Sequence, residues 1–285
     1  MTLNEAFYQA RNALSALYSD RESAAISHEL IEFITGKSKL QRLIEKDNFL
    51  SFSQAELFNS FLKRLALGEP LQYVTGEQWF AGNLFKVNKH VLIPRPETEE
   101  LVDWIVAENN ALQHLQILDI GTGSGCLAIS LKSKLPFSTV SACDISLEAL
   151  EIAQENAQNL NTQISFSAIN FLDSQQTDQL GMFDVIVSNP PYIPETESEM
   201  LDQNVRDFEP SLALFVPSED SLLFYRVIAQ FALSHLSTRG KLYFEVHQDF
   251  AEATVLMLQK MNFIATLRKD IHQNSRMVKA TIRLA

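Results

Sequence analysis

The hydrophobic residues follow a helical period at the start of the chain and a strand-and-helix alternation later. Within the first 70 residues, one apolar stripe at helical spacing consists of Leu57, Phe58, Phe61, Leu62 and Leu65. Ser19 with Glu22, and Ser53 with Glu56, have the S-x-x-E spacing of a capping box, so we predict helices that begin at both serines. Gly36 is expected to end the earlier helix. The stripe indicates the core of a small helical bundle rather than a groove for a partner.

The stretch 72–93 turns extended. Aromatic and β-branched residues flank an Ala-Gly-Asn turn at 81–83, which predicts a β-hairpin linker. A helix is then predicted from Pro96, because proline suits the first turn and acidic residues follow it near the positive end. Beyond this helix, apolar β-rich runs alternate with helical stretches; the runs span 116–120, 139–144, 163–168, 183–188 and 241–246. That alternation predicts βαβ units and a mostly parallel sheet.

Composition and charge limit the class of protein. The 285 residues are 46% hydrophobic and 20% charged, which is typical of a soluble globular protein with one large and one small domain. No apolar run reaches the roughly 18 residues of a membrane span, and no charged-flanked apolar leader opens the chain, so we expect a cytoplasmic protein without a membrane partner. Acidic residues outnumber basic ones by 35 to 23, a net charge of −12, which argues against a nucleic-acid substrate.

The spacing of the cysteines and histidines predicts neither a disulfide framework nor a metal site. Two cysteines, Cys126 and Cys143, are too few for a disulfide framework in a chain of this size and are expected to behave as small buried apolar residues. The six histidines are scattered, with neither H-x3-H spacing nor a neighbouring Cys/His cluster. We therefore expect no metal site.

Three glycines lie between an apolar strand and a helix in the stretch ILDIGTGSGCLAISL. Gly121, Gly123 and Gly125 allow the backbone to turn sharply and a ligand to approach a helix N-terminus closely. The dinucleotide-binding fingerprint requires a further glycine three positions after Gly123, where Cys126 stands. The G-x-G-x-G spacing instead favours a bulky ligand without a pyrophosphate. A glycine-rich turn without any ligand is the alternative.

Polar and aromatic residues follow the next two predicted strands. Asp144 ends the strand after the glycines, where a carboxylate can accept both hydrogen bonds of a ribose diol; its alternative role is to cap the helix that starts near Leu147. Asn170 and Phe171 follow the third strand and suit the edge and the plane of an adenine, although Phe171 could equally belong to the core. Together these residues favour a nucleoside-containing ligand.

The fourth strand runs directly into Asn189, Pro190, Pro191 and Tyr192. The prolines have fixed φ and donate no hydrogen bond, so the corner is rigid before a ligand arrives. The Asn189 side-chain oxygen and the Pro190 carbonyl could accept both N–H bonds of a planar NH2 group, while Tyr192 covers it. A purely structural Asn-Pro turn is the alternative. The corner predicts a site for a planar nitrogen, which could be adenine N6, guanine N2 or a glutamine side chain.

The alternating pattern from about residue 116, with these motifs, resembles the Rossmann-like methyltransferases that use S-adenosylmethionine. The resemblance implies an α/β fold whose seven-stranded sheet has an antiparallel last strand, completed here by strands near 263–268 and 277–282. It also implies that the cofactor, S-adenosyl-L-methionine, lies across the carboxyl ends of the first strands.

A more specific resemblance covers nearly the whole chain. The motifs HVLIPRPETEELVDWI, LDIGTGSGCLAISL, SNPPYIP, VRDFEPSLALF and DIHQNSRMVKATI occur in the order seen in the PrmC or HemK family, the protein-(glutamine-N5) methyltransferases of peptide chain release factors. The resemblance implies methyl transfer to the glutamine side-chain nitrogen in the release factor's GGQ motif. It also implies a helical substrate-recognition domain at 1–70, a β-hairpin linker at 71–95 and a catalytic domain at 96–285.

The resemblance assigns expected roles by position. Cofactor contacts fall on Gly121, Thr122, Gly123, Ser124, Gly125, Asp144, Asn170, Phe171 and Asn189. The glutamine-binding corner falls on Asn189, Pro190, Pro191 and Tyr192, of which Asn189, Pro190 and Tyr192 are the catalytic candidates. Asn170 departs from the family, in which relatives often have Asp; its side-chain oxygen could still accept from the adenine amino group, but with less charge. Arg95, Glu97 and Glu209 belong to matching motifs, with salt bridges and helix capping as equal alternatives.

Two rival functions remain open. One is a nucleic-acid methyltransferase acting on adenine N6 or guanine N2, and the other is a cofactor-binding protein without catalysis that acts through its helical domain. The acidic balance argues against the first rival. The intact Asn-Pro-Pro-Tyr corner argues against the second.

Overall fold

The computed structural model describes residues 1–112 and 114–283 and contains two compact units. The first unit comprises residues 1–77 with 202–208, and the second comprises 78–201 with the chain from 209 onwards. No helix in the described part of the chain is long and apolar enough to cross a membrane.

The first unit is helical, as predicted. Its helices are α1 (Leu3–Leu14), α2 (Asp20–Thr35), α3 (Lys39–Ile44), α4 (Phe52–Leu65) and α5 (Leu71–Thr75). Ser19 caps α2, because its hydroxyl accepts the Glu22 N–H, and Gly36 ends the helix with a φ of 66°. Apolar side chains of α1, α2 and α4, including Leu30, Phe58 and Leu65, form one buried cluster. Four of the five residues of the predicted apolar stripe therefore belong to the bundle core, and Leu57 is exposed.

The predicted cap at Ser53 is wrong. Helix α4 begins two residues earlier, because Ser51 accepts the Gln54 N–H at 3.2 Å while the Gln54 side chain accepts the Ser51 N–H at 3.0 Å. Glutamine completes a capping box as well as glutamate does, so the S-x-x-Q pair closes the box first. Ser53 consequently lies inside the first turn.

The hairpin is shorter than predicted. Residues 71–75 form helix α5, which Gly76 ends with a φ of 79°. Strands β1 (Glu77–Phe80) and β2 (Asn83–Lys86) follow. Ala81 and Gly82 both have positive φ, as the two-residue turns of twisted hairpins require. Asn83 is thus the first residue of β2 rather than part of the turn.

The second unit contains a seven-stranded sheet. The remaining strands are β3 (Gln116–Ile120), β4 (Thr139–Asp144), β5 (Ser165–Ala168), β6 (Phe183–Ser188), β7 (Ile193–Pro194), β8 (Phe215–Val216), β9 (Leu236–Glu245), β10 (Phe263–Lys269) and β11 (Ser275–Ile282). The sheet order is β10-β11-β9-β6-β3-β4-β5, in which β11 runs antiparallel to both neighbours. The predicted seven-stranded sheet with an antiparallel last strand is confirmed; β5 starts two residues later than predicted and β9 five residues earlier.

Helices cover both faces of the sheet. The remaining helices are α6 (Pro96–Asn109), α7 (Cys126–Lys134), α8 (Leu147–Asn159), α9 (Ser174–Thr177), α10 (Gln203–Phe208), α11 (Ser211–Leu214), α12 (Leu223–His235) and α13 (Ala251–Lys260). Alternate residues of β3 point to opposite faces, so Ile117 packs with α6 and α7 while Leu118 packs with α12 and α13. Helix α10 belongs to the first unit. Burial on both faces explains why the parallel strands are nearly continuous apolar runs.

The sheet order reverses at β3. Strands β4 and β5 follow on one side of β3, whereas β6 and β9 follow on the other. In open α/β sheets, this reversal leaves a crevice at the carboxyl ends of the two central strands. The carboxyl ends of β3 and β6 carry Gly121 and Asn189, so the topology brings both sequence motifs to the same crevice.

Candidate active site

A cavity of about 330 Å³ lies at the carboxyl ends of β3, β4 and β6. Its volume falls in the range of roughly 300–1,000 Å³ that is usual for small-molecule sites. Ten of the twelve predicted site residues line it: Gly121, Thr122, Gly123, Ser124, Asp144, Asn170, Phe171, Asn189, Pro190 and Pro191. Gly125 and Tyr192 do not. The topology thus gathers side chains from four separate motifs around one space.

The glycine loop, residues 121–125 between β3 and α7, has no side chains filling the space on the cavity side of Gly121 and Gly123. Gly121 and Gly123 have φ of 71° and 53°, and a Cβ added to either would meet no atom within 4 Å. Gly125 differs, because a Cβ there would come within 3.0 Å of Ile129 Cδ1 and 3.2 Å of Ala153 Cβ. The first two glycines therefore keep cavity space free, and Gly125 allows the loop to pack closely on α8.

Asp144 connects β4 to the glycine loop. Its Oδ2 accepts the Gly123 N–H at 2.9 Å, and its Oδ1 accepts the Ser146 N–H at 3.0 Å. Burial raises the pKa of Asp144, and these backbone N–H groups partly offset that effect. Helix α8 is capped by Ser146, whose hydroxyl accepts the Ala149 N–H at 3.1 Å, so Asp144 is not the cap. Its carboxylate lines the cavity with lone pairs to spare.

Asn170 and Phe171 line the cavity beyond β5. The Asn170 side-chain oxygen accepts the Leu172 N–H at 3.0 Å, which fixes the side chain across the turn. The Phe171 ring meets Phe231 edge to face, with centroids 5.0 Å apart, and it is buried. Phe171 therefore belongs to the core and the cavity wall at once, so the two interpretations of this residue do not exclude each other.

The Asn189 corner leaves β6 beside the glycine loop. The Ser188 hydroxyl donates to the Ile120 carbonyl at 2.7 Å, joining the ends of the two central strands. Asn189, Pro190 and Pro191 then line the cavity. Tyr192 packs against the core with its ring centroid 5.7 Å from that of His247, and burial raises its pKa. The hydroxyl of Tyr192 therefore stays protonated at neutral pH.

Two buried carboxyl groups were missed by the sequence analysis. Asp119 accepts the Thr122 hydroxyl at 2.6 Å and the Ala128 N–H at 3.2 Å, and burial raises its pKa to about 7. Glu245 accepts the Thr98 hydroxyl at 2.6 Å, and burial likewise raises its pKa to about 7. The sequence contains a usable signal, because each acid interrupts a run of apolar residues, ILDI for Asp119 and LYFEV for Glu245. Such residues are costly to bury and often mark functional sites.

Arg95 and Glu209 form an ion pair, which decides between the alternatives left open for them. The other Glu209 oxygen accepts the Ile93 N–H at 3.1 Å, and Glu209 is buried. Arg95 occupies the N-cap position of α6 without a side-chain capping bond. Glu97 lies in the first turn of α6, where the helix dipole favours a negative charge. The pair thus fixes the chain that leads into α6.

The thiols contribute no reactive group. Cys126 and Cys143 are both free, and burial raises the pKa of Cys126 to about 12. A thiol with this pKa is protonated at neutral pH and is a poor nucleophile. Within residues 1–112 and 114–283, no three His, Cys, Asp or Glu side chains are grouped so that they could hold a metal ion.

Methyltransferases are among the solved structures that share this fold. One from Pyrococcus furiosus has a TM-score of 0.51 and 16% identity, covering 70% of this chain and 89% of that chain. The hMettl16 catalytic domain, in complex with the MAT2A 3'UTR hairpin 6, has a TM-score of 0.54 and 16% identity, covering 81% and 83%. At such identity the likeness concerns the fold alone. The fold is therefore one that methyltransferases adopt.

Sequence comparison narrows this class. Residues 98–208 match the family described as "Methyltransferase small domain", and residues 5–76 match the "PrmC N-terminal domain". The release factor glutamine methyltransferase of Flavobacterium psychrophilum is 43% identical over 275 residues, which is 95% of this chain and 96% of that protein. That of Bacteroides thetaiotaomicron is 43% identical over 272 residues, with 95% and 96% covered. The chain belongs to the release factor glutamine methyltransferase family, which confirms the predicted PrmC or HemK membership.

Proposed function

We propose that the protein transfers a methyl group from S-adenosyl-L-methionine to the side-chain amide nitrogen of the glutamine in the GGQ motif of peptide chain release factors. The observation that carries the proposal is the position of Asn189 and Pro190 in the same cavity as the glycine loop and Asp144. Curated relatives that share 43% of their residues with this chain are named for this activity.

The cavity suits the proposed cofactor. The space beside Gly121 and Gly123 is free of protein atoms, and the Asp144 carboxylate retains lone pairs that can accept from a ribose diol. Phe171 offers an aromatic face and Asn170 a polar group for an adenine. Thr122 and Ser124 complete the loop around this space. When bound, S-adenosylmethionine supplies an electrophilic methyl group on a sulfonium.

The Asn189 corner suits a carboxamide as methyl acceptor. An amide nitrogen is a poor nucleophile because its lone pair is delocalised. The Asn189 side-chain oxygen and the Pro190 carbonyl accept both N–H bonds, which orients the nitrogen and stabilises the positive charge that develops on it. Orientation of this kind is worth up to about 7–11 kcal/mol in well-aligned systems, so a strong base is unnecessary before transfer. Water can remove the acidified proton afterwards.

We propose a separate role for each part of the chain. The helical domain at 1–70 recognises the release factor, 71–95 links it, and 96–285 carries the chemistry. Pro191 stiffens the corner, and Tyr192 supports it from the core side, where its ring is partly buried. Since Tyr192 does not line the cavity, its proposed contribution to catalysis is to hold the corner that carries Asn189.

The proposal is tested by supplying labelled S-adenosylmethionine with a purified release factor, with the same factor carrying Gly-Gly-Ala, or with oligonucleotides. We expect label on the intact release factor alone, and peptide mass analysis should place it on the GGQ glutamine. Label on oligonucleotides but not on the release factor would instead support a nucleic-acid methyltransferase. Cofactor binding without label on any substrate would support the non-catalytic alternative.

A further inference from the structure

Thr98 and Glu245 form a hydrogen-bonded chain that ends at Asn189. The Thr98 hydroxyl donates to Glu245 Oε2 at 2.6 Å, and Thr98 Oγ1 accepts from Asn189 Nδ2 at 3.5 Å. Thr98 lies in the first turn of α6 and Glu245 at the end of β9; both are buried. These hydrogen bonds therefore connect α6 and β9 with the corner that follows β6, and Thr98 itself lines the cavity.

The donors and acceptors in these hydrogen bonds follow from the single proton of the Thr98 hydroxyl. A threonine hydroxyl has a single proton, and when Glu245 is ionised this proton is given to the carboxylate. Only lone pairs of Thr98 Oγ1 are left to face Asn189, so the amide must turn its NH2 group toward Thr98. A rotated amide would set the Asn189 oxygen against those lone pairs and lose the contact. The Asn189 oxygen is consequently the atom left for the cavity.

We propose that Thr98 and Glu245 are positioning residues that hold the Asn189 carboxamide with its oxygen toward the methyl-accepting nitrogen. The inference rests on the proposed function, because it explains how the corner stays an acceptor. An asparagine free to rotate would offer its NH2 group half of the time and would repel the N–H bonds of the substrate. Thr98 and Glu245 thus favour substrates whose N–H groups donate hydrogen bonds to the Asn189 oxygen.

Kinetics with a matched pair of variants test the proposal. Thr98→Val keeps the shape of the side chain and removes the hydroxyl, whereas Thr98→Ser keeps the hydroxyl. At saturating S-adenosylmethionine and release factor, we expect kcat to fall about three- to tenfold for Thr98→Val, the size of one hydrogen bond. Thr98→Ser should restore most of it. Thr254→Val, which removes a hydroxyl that donates to the Phe250 carbonyl at the N-cap of α13, is the control for lost stability.

A double-mutant cycle separates positioning from a general structural effect. Once Asn189 is replaced by alanine, Thr98→Val should have no further effect on kcat, because the group that it orients is absent. Glu245→Ala should resemble Thr98→Val, and Glu245→Gln, which keeps an acceptor oxygen for Thr98, should lose less. An unchanged kcat in Thr98→Val, or the same fold-loss with and without Asn189, would overturn the proposal.

A spectroscopic measurement tests the orientation without any turnover. With ¹⁵N-labelled asparagine, the side-chain NH2 signal of Asn189 is identified by its loss in Asn189→Ala. We expect this signal to shift in Thr98→Val and to return toward its original position in Thr98→Ser. A signal that is the same in all three proteins would refute the positioning role. If the wild-type enzyme methylated no release factor, the proposed function would fail, and this measurement would still decide the inference.

Discussion

Alanine at Gly125 and at Gly123 should separate the two tasks of the glycine loop. At Gly125, φ is +81° and the new Cβ would lie 3.0 Å from Ile129 Cδ1 and 3.2 Å from Ala153 Cβ. The left-handed backbone costs a non-glycine residue about 1–2 kcal/mol, and overpacking adds roughly 1–3 kcal/mol. We therefore expect Gly125→Ala to lower the free energy of unfolding by about 2–5 kcal/mol, a large part of the stability of most domains.

Gly123 has positive φ but no neighbour within 4 Å of an added Cβ. Gly123→Ala should therefore cost only the backbone strain of about 1–2 kcal/mol. Its methyl group would enter the cavity where the cofactor is proposed to bind. We expect the Kd for S-adenosylmethionine to rise at least about tenfold, since a tenfold change corresponds to about 1.4 kcal/mol of lost contact.

The assay is urea unfolding without cofactor, followed by calorimetric titration with S-adenosylmethionine. Gly36→Ala is the matched control, because Gly36 has a φ of +66° with no atom within 4 Å and lies in the helical unit. Gly36→Ala should lower the free energy of unfolding by the backbone strain alone and leave the Kd for S-adenosylmethionine unchanged. The reasoning would be refuted if Gly125→Ala were no less stable than Gly36→Ala, or if Gly123→Ala bound the cofactor as tightly as the wild type.

Three further changes test separate parts of the site. Asn189→Ala should slow methyl transfer by roughly 10²–10³ while leaving the S-adenosylmethionine Kd nearly unchanged, measured by single turnover and titration; a rate within about threefold of wild type would make the corner purely structural. Asp119, with its pKa raised to about 7, holds a proton in the folded state that the unfolded chain has lost above about pH 4. Stability should therefore fall between pH 4 and 7 by up to about 1.4 kcal/mol per pH unit, and Asp119→Asn should flatten this slope in urea titrations; an identical slope would contradict the assignment. Glu209→Gln should destabilise by roughly 1–3 kcal/mol, because Arg95 loses its charged partner, and an unchanged urea midpoint would count against that ion pair.

Local sequence patterns were sufficient for the alternation of strands and helices, whereas the number of strands and the antiparallel last strand were implied by the resemblance to a known fold. Continuous apolar runs identified five sheet strands because parallel strands are buried on both faces. The glycine spacing and the Asn189 corner could be placed at one sheet edge, since carboxyl ends of parallel strands converge there. The errors at Ser53 and at 71–75 are both local: a second capping pair stood two residues upstream, and a five-residue helix is too short to show a period.

Contacts distant in sequence could not be predicted. Thr98 and Glu245 are 147 positions apart, so no spacing rule connects them, although both stood in or beside segments already recognised as motif or strand. The packing role of Gly125 was equally hidden, because its close neighbour Ala153 lies on a different helix. The burial of Tyr192 also depends on residues such as His247 that follow β9. Tertiary packing, rather than local preference, decides each of these.

The most direct test is a structure of the protein with S-adenosylhomocysteine and a peptide that contains the GGQ motif. We expect the glutamine carboxamide nitrogen about 2.7–3.2 Å from both the Asn189 side-chain oxygen and the Pro190 carbonyl, with its free face toward the cofactor sulfur. A glutamine seated elsewhere, or an Asn189 side chain turned away from the peptide, would contradict the proposed chemistry.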